Sequence, residues 1–123
     1  MRVLAAADKF KGTASAASIC AAIGHACWDL GIDCVEMPMA DGGEGTLDVL
    51  GGPNRTSVVT GPLGTAVEAE WRLHRGVAVI EMARASGLTL AGGPENNNPL
   101  DATTQGTGEL IDKALNEGAK KII

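Results

Sequence analysis

Apolar and polar positions in the first third of the chain predict a strand, a helix and a second strand. Residues 2–7 form a short, continuous apolar run, which is typical of a buried strand. Thr13 or Ser15 can cap the helix that follows, and Gly31 stands where helices commonly end. The apolar residues of this helix recur at spacings of three and four, as one buried face requires: Ala16, Ile19, Cys20, Ile23, Cys27 and Leu30.

The second predicted strand covers residues 33–39 and places Val35, Met37 and Met39 on one side. The order strand, helix, strand favours a parallel sheet with a right-handed crossover, in which ligands bind outside the carboxyl ends of the strands. Asp8 and Asp41 lie in the loops at those ends. We therefore predict an α/β fold in which residues 1–51 begin a Rossmann-like or flavodoxin-like domain.

The pattern changes near Gly51, where alternation with a period of two replaces helical spacing. Residues 55–60, 67–73 and 77–81 are predicted strands. The middle strand alternates apolar with charged side chains, as an antiparallel strand with one solvated face does. We predict that residues 52–123 are part of a second α/β domain, which opens with a small antiparallel meander.

The last third of the chain predicts two helical segments and one more strand. Residues 82–88 predict a helical turn, and a polar loop runs through residues 94–99. A longer helix opens within residues 103–108, with an apolar stripe made by Leu110, Ile111, Ala114 and Leu115. An apolar strand begins at residue 119, and the sequence stops there without a polar tail. We expect a truncated protein that self-associates through an open sheet edge.

Composition narrows the class of protein. The chain has 123 residues, 45% of them hydrophobic, which is enough to bury a core. Its formal net charge of -5 argues against a general nucleic-acid or anionic-membrane binder. The apolar N-terminal run is too short for a signal peptide or a membrane span. The three cysteines lack a C-x-x-C pair, so we expect reduced thiols in a cytoplasmic protein.

The first candidate for chemistry is the loop that follows the first strand, Asp8-Lys9-Phe10-Lys11-Gly12-Thr13. It brings a carboxylate, two ammonium groups and a hydroxyl to a strand-to-helix turn, where backbone N–H groups also favour an anion. A phosphorylated or carboxylated ligand suits these groups. A solvated loop in which Asp8 caps the turn explains the same residues equally well. The spacing matches neither a P-loop nor a dinucleotide-binding fingerprint.

The second candidate is the glycine-rich loop after the second strand, Asp41-Gly42-Gly43-Glu44-Gly45-Thr46. Its glycines let the backbone approach a ligand closely. The carboxylates of Asp41 and Glu44 suit either a Mg²⁺ ion beside phosphate oxygens or the orientation of a hydroxyl. The alternative is a flexible turn that caps a helix over residues 46–50.

The third candidate is the helix start that contains Thr104, Gly106 and Thr107, whose hydroxyls and backbone suit an anion. An ordinary capped helix is the better interpretation of these residues alone. Glu81 and Ser86 flank a small-residue turn that can line the same crevice. His25, His74, Trp28 and Trp71 are assigned to structure, with both tryptophans expected in a core or an interface.

Taken together, these motifs resemble the glycerate kinase family of the bacterial type. Five strings match in family order and cover nearly the whole chain: the first two candidate loops and residues 59–64, 80–88 and 103–110. The sequence departs from the family at Ala7, where many members carry Pro, and in a shorter segment between Leu50 and Arg55.

The resemblance implies a cytoplasmic enzyme of two α/β domains that uses ATP and Mg²⁺ to phosphorylate D-glycerate, with 2-phosphoglycerate as the expected product. It implies that Lys11 contacts a phosphate or the glycerate carboxylate, and that Asp8 and Asp41 orient hydroxyls or the metal. Asp41 and Glu44 are the metal candidates. The expected substrate or phosphate ligands are Lys9, Gly42, Gly43, Glu44, Thr46, Ser86, Thr104, Gly106 and Thr107.

Two other functions fit the same residues. One is a non-catalytic α/β module that binds a small anion or a protein partner through the glycine loops. The other is a kinase for a different hydroxy acid, because pocket hydrogen bonds rather than the fold select the acid. Members of the family continue for well over twice this length, so we do not expect this chain alone to work as a kinase.

Overall fold

The computed structural model describes residues 1–123, which fall into two units, Met1–Val49 and Leu50–Ile123. The chain is of mixed α/β class, as the sequence predicted, and it contains one parallel sheet and one mixed sheet. None of its helices has the length and apolar character needed to cross a membrane.

The first unit contains the predicted strand, helix and strand. It is built from β1 (Arg2–Ala5), α1 (Ala16–Asp29), β2 (Asp33–Glu36) and α2 (Thr46–Val49). The two strands pair in parallel, with Arg2 opposite Asp33 and Ala5 opposite Glu36. Both strands are shorter than predicted, although the pairing continues beyond them through a hydrogen bond of 2.9 Å from the Met39 N–H to the Ala7 carbonyl.

Helix α1 begins and ends through local interactions that the sequence indicated. Ser15, one of the two predicted caps, accepts a hydrogen bond from the Ser18 N–H, at 3.1 Å, and so satisfies a free donor of the first turn. At the other end Gly31 adopts a φ of +66°, and the Ile32 N–H donates to the Cys27 carbonyl at 2.8 Å. This left-handed glycine reverses the chain into β2.

The buried face of α1 is narrower than predicted. Ala16, Cys20 and Cys27 are buried, and the Cys20 thiol donates to the Ala5 carbonyl at 3.2 Å. The prediction was wrong for Ile23 and Leu30, which are exposed. Trp28, expected in a core or an interface, is 84% exposed and so is not part of a core in this unit. The physical reason is that a two-stranded sheet covers only one side of the helix. The opposite sheet face is uncovered in this unit, so these apolar residues are exposed as well: Leu4, Val35, Met37 and Met39.

The second unit contains the predicted meander. Its strands are β3 (Arg55–Thr60), β4 (Ala66–His74), β5 (Val77–Val79) and β6 (Lys121–Ile122), in that order across one sheet. Strands β3, β4 and β5 pair antiparallel, and β6 then pairs with β5 in parallel.

Three helices accompany this sheet: α3 (Ala83–Ser86), α4 (Gly93–Asn96) and α5 (Gln105–Asn116). Helices α3 and α5 were predicted. Helix α4 lies where the sequence predicted only a loop, and that prediction was wrong. The single turn forms because Gly92 adopts a φ of +92° before it and Pro94 lies in its first turn, where the missing N–H costs no hydrogen bond.

The core of the second unit lies between α5, α3 and the sheet. Trp71 is fully buried, as predicted, and its indole N–H donates to the Ser57 hydroxyl at 3.0 Å. Of the predicted stripe on α5, Leu110 and Ala114 are buried, whereas Ile111 and Leu115 are exposed. The remaining buried members of this core are Val59, Ala69, Ala78, Ala85 and Ala119.

Helix α5 approaches β3 so closely that only glycine fits at one position. A Cβ atom at Gly106 would overlap the Thr60 carbonyl oxygen, whereas a Cβ atom at Gly108, two residues later, would meet nothing within 4 Å. The absence of a side chain at residue 106 therefore sets how close the helix lies to the strand.

The substitution Gly106→Ala should destabilise the protein because the added methyl group forces α5 away from β3. We expect the free energy of unfolding to fall by about 1–3 kcal/mol. The matched control, Gly108→Ala, adds the same group to the same helix in open space and should raise it by about 0.5–1 kcal/mol. Urea denaturation followed by circular dichroism measures both values. Equal effects of the two substitutions would contradict this packing.

Candidate functional site

The first two candidate loops meet in one cleft of the first unit. The cleft has a volume of about 650 Å³. Parallel pairing of β1 and β2 brings the carboxyl ends of both strands to the same edge, so the loops that follow lie side by side. Besides residues 8–17, the cleft is lined by Pro38, Met39, Glu44, Gly45, Asp48 and Val49.

The first loop is held by a tight turn between Phe10 and Ala14. The Phe10 N–H donates to the Ala14 carbonyl at 2.9 Å, and the Ala14 N–H donates back at 3.1 Å. Gly12 makes the turn possible with a φ of +73°, a conformation that strains other residues. Lys11 lies within this turn, where it is exposed and lines the cleft.

Lys9 precedes the turn and connects the two loops. Its Nζ atom lies 3.2 Å from Asp41 Oδ1 and 3.9 Å from Asp8 Oδ1, and its side chain is only 15% exposed. The hydrogen bond to Asp41 is the largest cause that raises the pKa of Lys9 above its usual value; burial opposes it. Lys9 is therefore a charged, paired group between two carboxylates.

Asp41 organises the glycine loop through the same oxygen atom. Its Oδ1 accepts a hydrogen bond from the Gly43 N–H, at 2.9 Å, as well as the one from Lys9. These two donors, first Gly43 and then Lys9, lower the pKa of the Asp41 carboxyl group. Gly42 adopts a φ of +92°, which lets the backbone fold back over the aspartate.

The glycine loop ends where α2 begins. The Thr46 hydroxyl donates to the Gly43 carbonyl at 2.6 Å, and the Thr46 N–H reaches the same carbonyl at 3.2 Å. Thr46 thus ties the glycine loop to the start of the short helix α2. A helix does follow the glycine turn, as the alternative interpretation of this segment required.

The cleft residues do not form a complete metal site by themselves. No group of three or more His, Cys, Asp or Glu side chains in the structure is arranged to hold a metal ion. Asp41 already shares Oδ1 between Lys9 and Gly43, while Glu44 lines the cleft. Since Mg²⁺ commonly takes one or two carboxylates together with substrate phosphates and water, Glu44 suits a metal that enters with a nucleotide.

The third candidate cluster lies in the second unit. The structure brings together the hydroxyls of Ser86 and Thr107, 2.9 Å apart, from the end of α3 and the first turn of α5. Thr104 occupies the N-cap position of α5 without a capping hydrogen bond from its side chain. Gly106 is buried against β3, so its packing alone accounts for a glycine there.

Sequence analysis missed the part played by Glu109, which ties α5 to the end of β3. Its carboxylate accepts hydrogen bonds from the Thr60 N–H and the Thr60 hydroxyl, each at 2.7 Å, and from the Gln105 side chain at 2.8 Å. These donors lower the pKa of Glu109, with the Thr60 backbone as the largest cause. No spacing rule links residues 60 and 109, so only the fold reveals this contact.

A second missed network surrounds Glu81, which the sequence placed in a crevice. The Glu81 side chain is 3% exposed and pairs with Arg84 Nε at 3.3 Å. Arg84 Nη1 also contacts Glu70 on β4 at 2.9 Å. The spacing of three between Glu81 and Arg84 in a helical turn was the available indication of this pair. Glu81 is thus the buried member of an ion-pair network that extends through Arg84 to the more exposed Glu70.

Comparison with known proteins identifies relatives of this chain. The model of the glycerate kinase family matches residues 3–123. Glycerate 2-kinase of Escherichia coli is 42% identical over 131 residues, and glycerate kinase of Bacillus subtilis is 44% identical over 131 residues. Each alignment includes 100% of this chain and 34% of the relative.

One solved structure is similar to this chain over nearly its whole length. The crystal structure of a Salmonella typhimurium protein designated glycerate kinase 2 matches with a TM-score of 0.76 and 39% sequence identity. The match covers 99% of this chain and 35% of that protein. An α/β chain with loops of this kind at the carboxyl ends of parallel strands is typical of enzymes that bind small anionic ligands. This chain belongs to the glycerate kinase family, and it spans about one third of the length of these relatives.

Acid should weaken the tie between α5 and β3. Because the folded-state pKa of Glu109 is lowered, its stabilising contribution is present above the ordinary glutamate pKa and is lost as pH falls through the folded-state value. The substitution Glu109→Gln should remove the stabilisation that depends on the ionised carboxylate. The difference in melting temperature between the unsubstituted protein and Glu109→Gln should therefore shrink as pH falls from 6 towards 3. Melting temperatures measured across about pH 3–6 test this. Parallel curves for the two proteins would contradict it.

Proposed function

We propose that this chain forms part of an enzyme that transfers the terminal phosphoryl group of ATP to D-glycerate, with 2-phosphoglycerate as the product. The observation that carries the proposal is the cleft in which the two family motifs meet around Lys9 and Asp41. Family membership supports the reaction. Because the chain spans one third of its relatives, the activity is proposed for the whole protein and not for these residues alone.

The proposal also covers the domain organisation and the cellular location of the enzyme. We infer that residues 1–51 belong to a Rossmann-like domain and residues 52–123 to a second α/β domain, and that the enzyme is cytoplasmic. Its partners are its small-molecule substrates rather than nucleic acid or membrane, in keeping with the acidic composition. Self-association through the edge strand β6 is the expected behaviour of the chain in isolation.

Lys11 is the residue that we propose for contact with the anionic substrate. It is exposed, lies in a turn fixed by the hydrogen bonds between Phe10 and Ala14, and lines the cleft. Phosphoryl transfer needs charge neutralisation and positioning more than covalent chemistry from the protein, and an ammonium group supplies both. Asp8, the first residue of the same loop, is proposed to orient a glycerate hydroxyl.

Glu44 is the residue that we propose for Mg²⁺. When bound with ATP, the ion neutralises charge on the phosphate oxygens. Glu44 lines the cleft, whereas Asp41 is assigned to holding the two loops because Lys9 and Gly43 occupy its Oδ1. Gly42 and Gly43 belong to the proposed phosphate contacts of this loop, which Thr46 closes; the Gly42 N–H is the proposed donor, because the Gly43 N–H already donates to Asp41.

Ser86, Thr104 and Thr107 are proposed as phosphate ligands of the second unit. The paired hydroxyls of Ser86 and Thr107 and the N-terminus of α5 present donors that an anion accepts. Gly106 contributes by allowing α5 to lie close to β3, which fixes the position of these donors.

Titration of the isotopically labelled chain with D-glycerate and with Mg-ATP tests the proposal. We expect saturable changes in amide chemical shift, measured by NMR, that cluster in residues 8–13, 41–46 and 103–108. Competition by other hydroxy acids distinguishes D-glycerate from them as the substrate. The absence of saturable shifts, both in this chain and in the chain fused to the remaining two thirds of the E. coli relative, would contradict the proposed function.

Removal of the Asp41 carboxylate should impair the cleft. In Asp41→Ala, Lys9 loses its closest partner and the glycine loop loses its fold, so the affinity for D-glycerate or Mg-ATP should fall by about tenfold. Asp33→Ala is the matched control because it breaks the exposed pair with Arg2, at 3.1 Å, outside the cleft. Unchanged turnover and affinity in Asp41→Ala would defeat the role assigned to Asp41.

A further inference from the structure

The two lysines of the first loop have different surroundings although only Phe10 separates them. The Lys9 side chain is 15% exposed and its ammonium group lies between Asp8 and Asp41. Lys11 is exposed, and its ammonium group forms none of the hydrogen bonds or ion pairs of the structure. The ammonium group of Lys9 is therefore paired with carboxylates, whereas that of Lys11 is unpaired.

Local geometry maintains this difference. The Lys9 N–H donates to Asp8 Oδ1 at 2.7 Å, which fixes the backbone before the turn and holds the Asp8 carboxylate beside the Lys9 side chain. The turn that follows is closed by hydrogen bonds between Phe10 and Ala14 and contains Lys11, whereas Lys9 precedes it.

Electrostatics oppose direct contact between Lys9 and an incoming anion. Lys9 Nζ already lies 3.2 Å from the Asp41 carboxylate and 3.9 Å from the Asp8 carboxylate, so a phosphate or carboxylate that approaches Lys9 also approaches two protein carboxylates. Negative charges that come this close together repel one another. An anion that approaches Lys11 gains the attraction of an ammonium group without displacing a protein carboxylate.

We propose that Lys9 is a positioning residue, which joins the two loops of the cleft through Asp41, and that Lys11 alone is the lysine that contacts the anionic ligand. This inference rests on the proposed function, because that function supplies the anion. It departs from the sequence-based expectation that Lys9 is itself a substrate or phosphate ligand. The glycine loop is then held by an internal charge pair that is complete before any ligand arrives.

Reductive methylation of the unmodified 123-residue chain, followed by mass spectrometry, measures how accessible each ammonium group is. We expect Lys9 to react more slowly than Lys11. The substitution Asp41→Asn keeps the shape of the side chain but removes its charge, and it should speed the reaction of Lys9 by about threefold while leaving Lys11 unchanged. Asp33→Asn, which weakens the pair with Arg2, is the control and should change neither rate.

Ligand protection separates the two roles. Saturating Mg-ATP or D-glycerate should slow the methylation of Lys11 severalfold and leave Lys9 at its own slow rate. Protection of Lys9 with no protection of Lys11 would overturn the assignment. If neither ligand protects either lysine, the proposed function fails. The positioning role of Lys9 is tested separately: it is overturned if Asp41→Asn leaves Lys9 as slow to react as before, whether or not ligands bind.

A conservative replacement distinguishes positioning from general structural support. In Lys9→Met, the amide shifts of residues 42–45 should move in the absence of any ligand, and Lys9→Arg should bring them back towards the parent because a cation again faces Asp41. Lys11→Met should leave these shifts unchanged and lower the ligand affinity by about tenfold. Loop shifts that respond equally to Lys9→Met and Lys11→Met would count against the inference.

Discussion

The parallel pairing of β1 with β2 is the constraint on which the candidate site depends. It places the carboxyl ends of two strands, separated by a whole helix in sequence, at one edge of a sheet. Lys9 can then reach Asp41 across 32 residues of chain. An antiparallel pairing would send the two loops to opposite edges, and the glycine loop contains no cation of its own to pair with Asp41.

A close backbone approach plays the corresponding part in the second unit. Gly106 allows α5 to contact the end of β3, and Glu109, one turn later, binds both the N–H and the hydroxyl of Thr60. The donors at the start of α5 and the hydroxyl pair of Ser86 and Thr107 are positioned by this arrangement. Packing and hydrogen bonding thus serve the same end, since each fixes the first turn of the helix.

Much of the fold could be predicted from the sequence because its signals are local. Ser15 and Gly31 bound α1 as capping rules require, and the alternation around Trp71 predicted β4 and its buried face. The exposure of Trp28 could not be predicted, because periodicity shows which residues share a face but not whether another element covers it. The exposed sheet face that contains Val35 has the same cause.

The candidate site was predictable in its parts but not in its connections. Motif position and family resemblance selected Asp8, Lys11 and Asp41, yet residue types alone did not distinguish the paired Lys9 from the unpaired Lys11. That difference depends on distances across the cleft, as does the contact between Glu109 and Thr60. Residue roles that depend on a partner far away in sequence require the fold, whereas caps and turns do not.

The position of the cleft within the sequence has a consequence for the order of synthesis. Every residue of this chain that lines it precedes Leu50, so the ribosome has made these walls before the strands of the second unit are translated. Domains commonly fold from the N-terminus during synthesis. The charged loops around Lys9 can therefore pair while the rest of the polypeptide is still being extended.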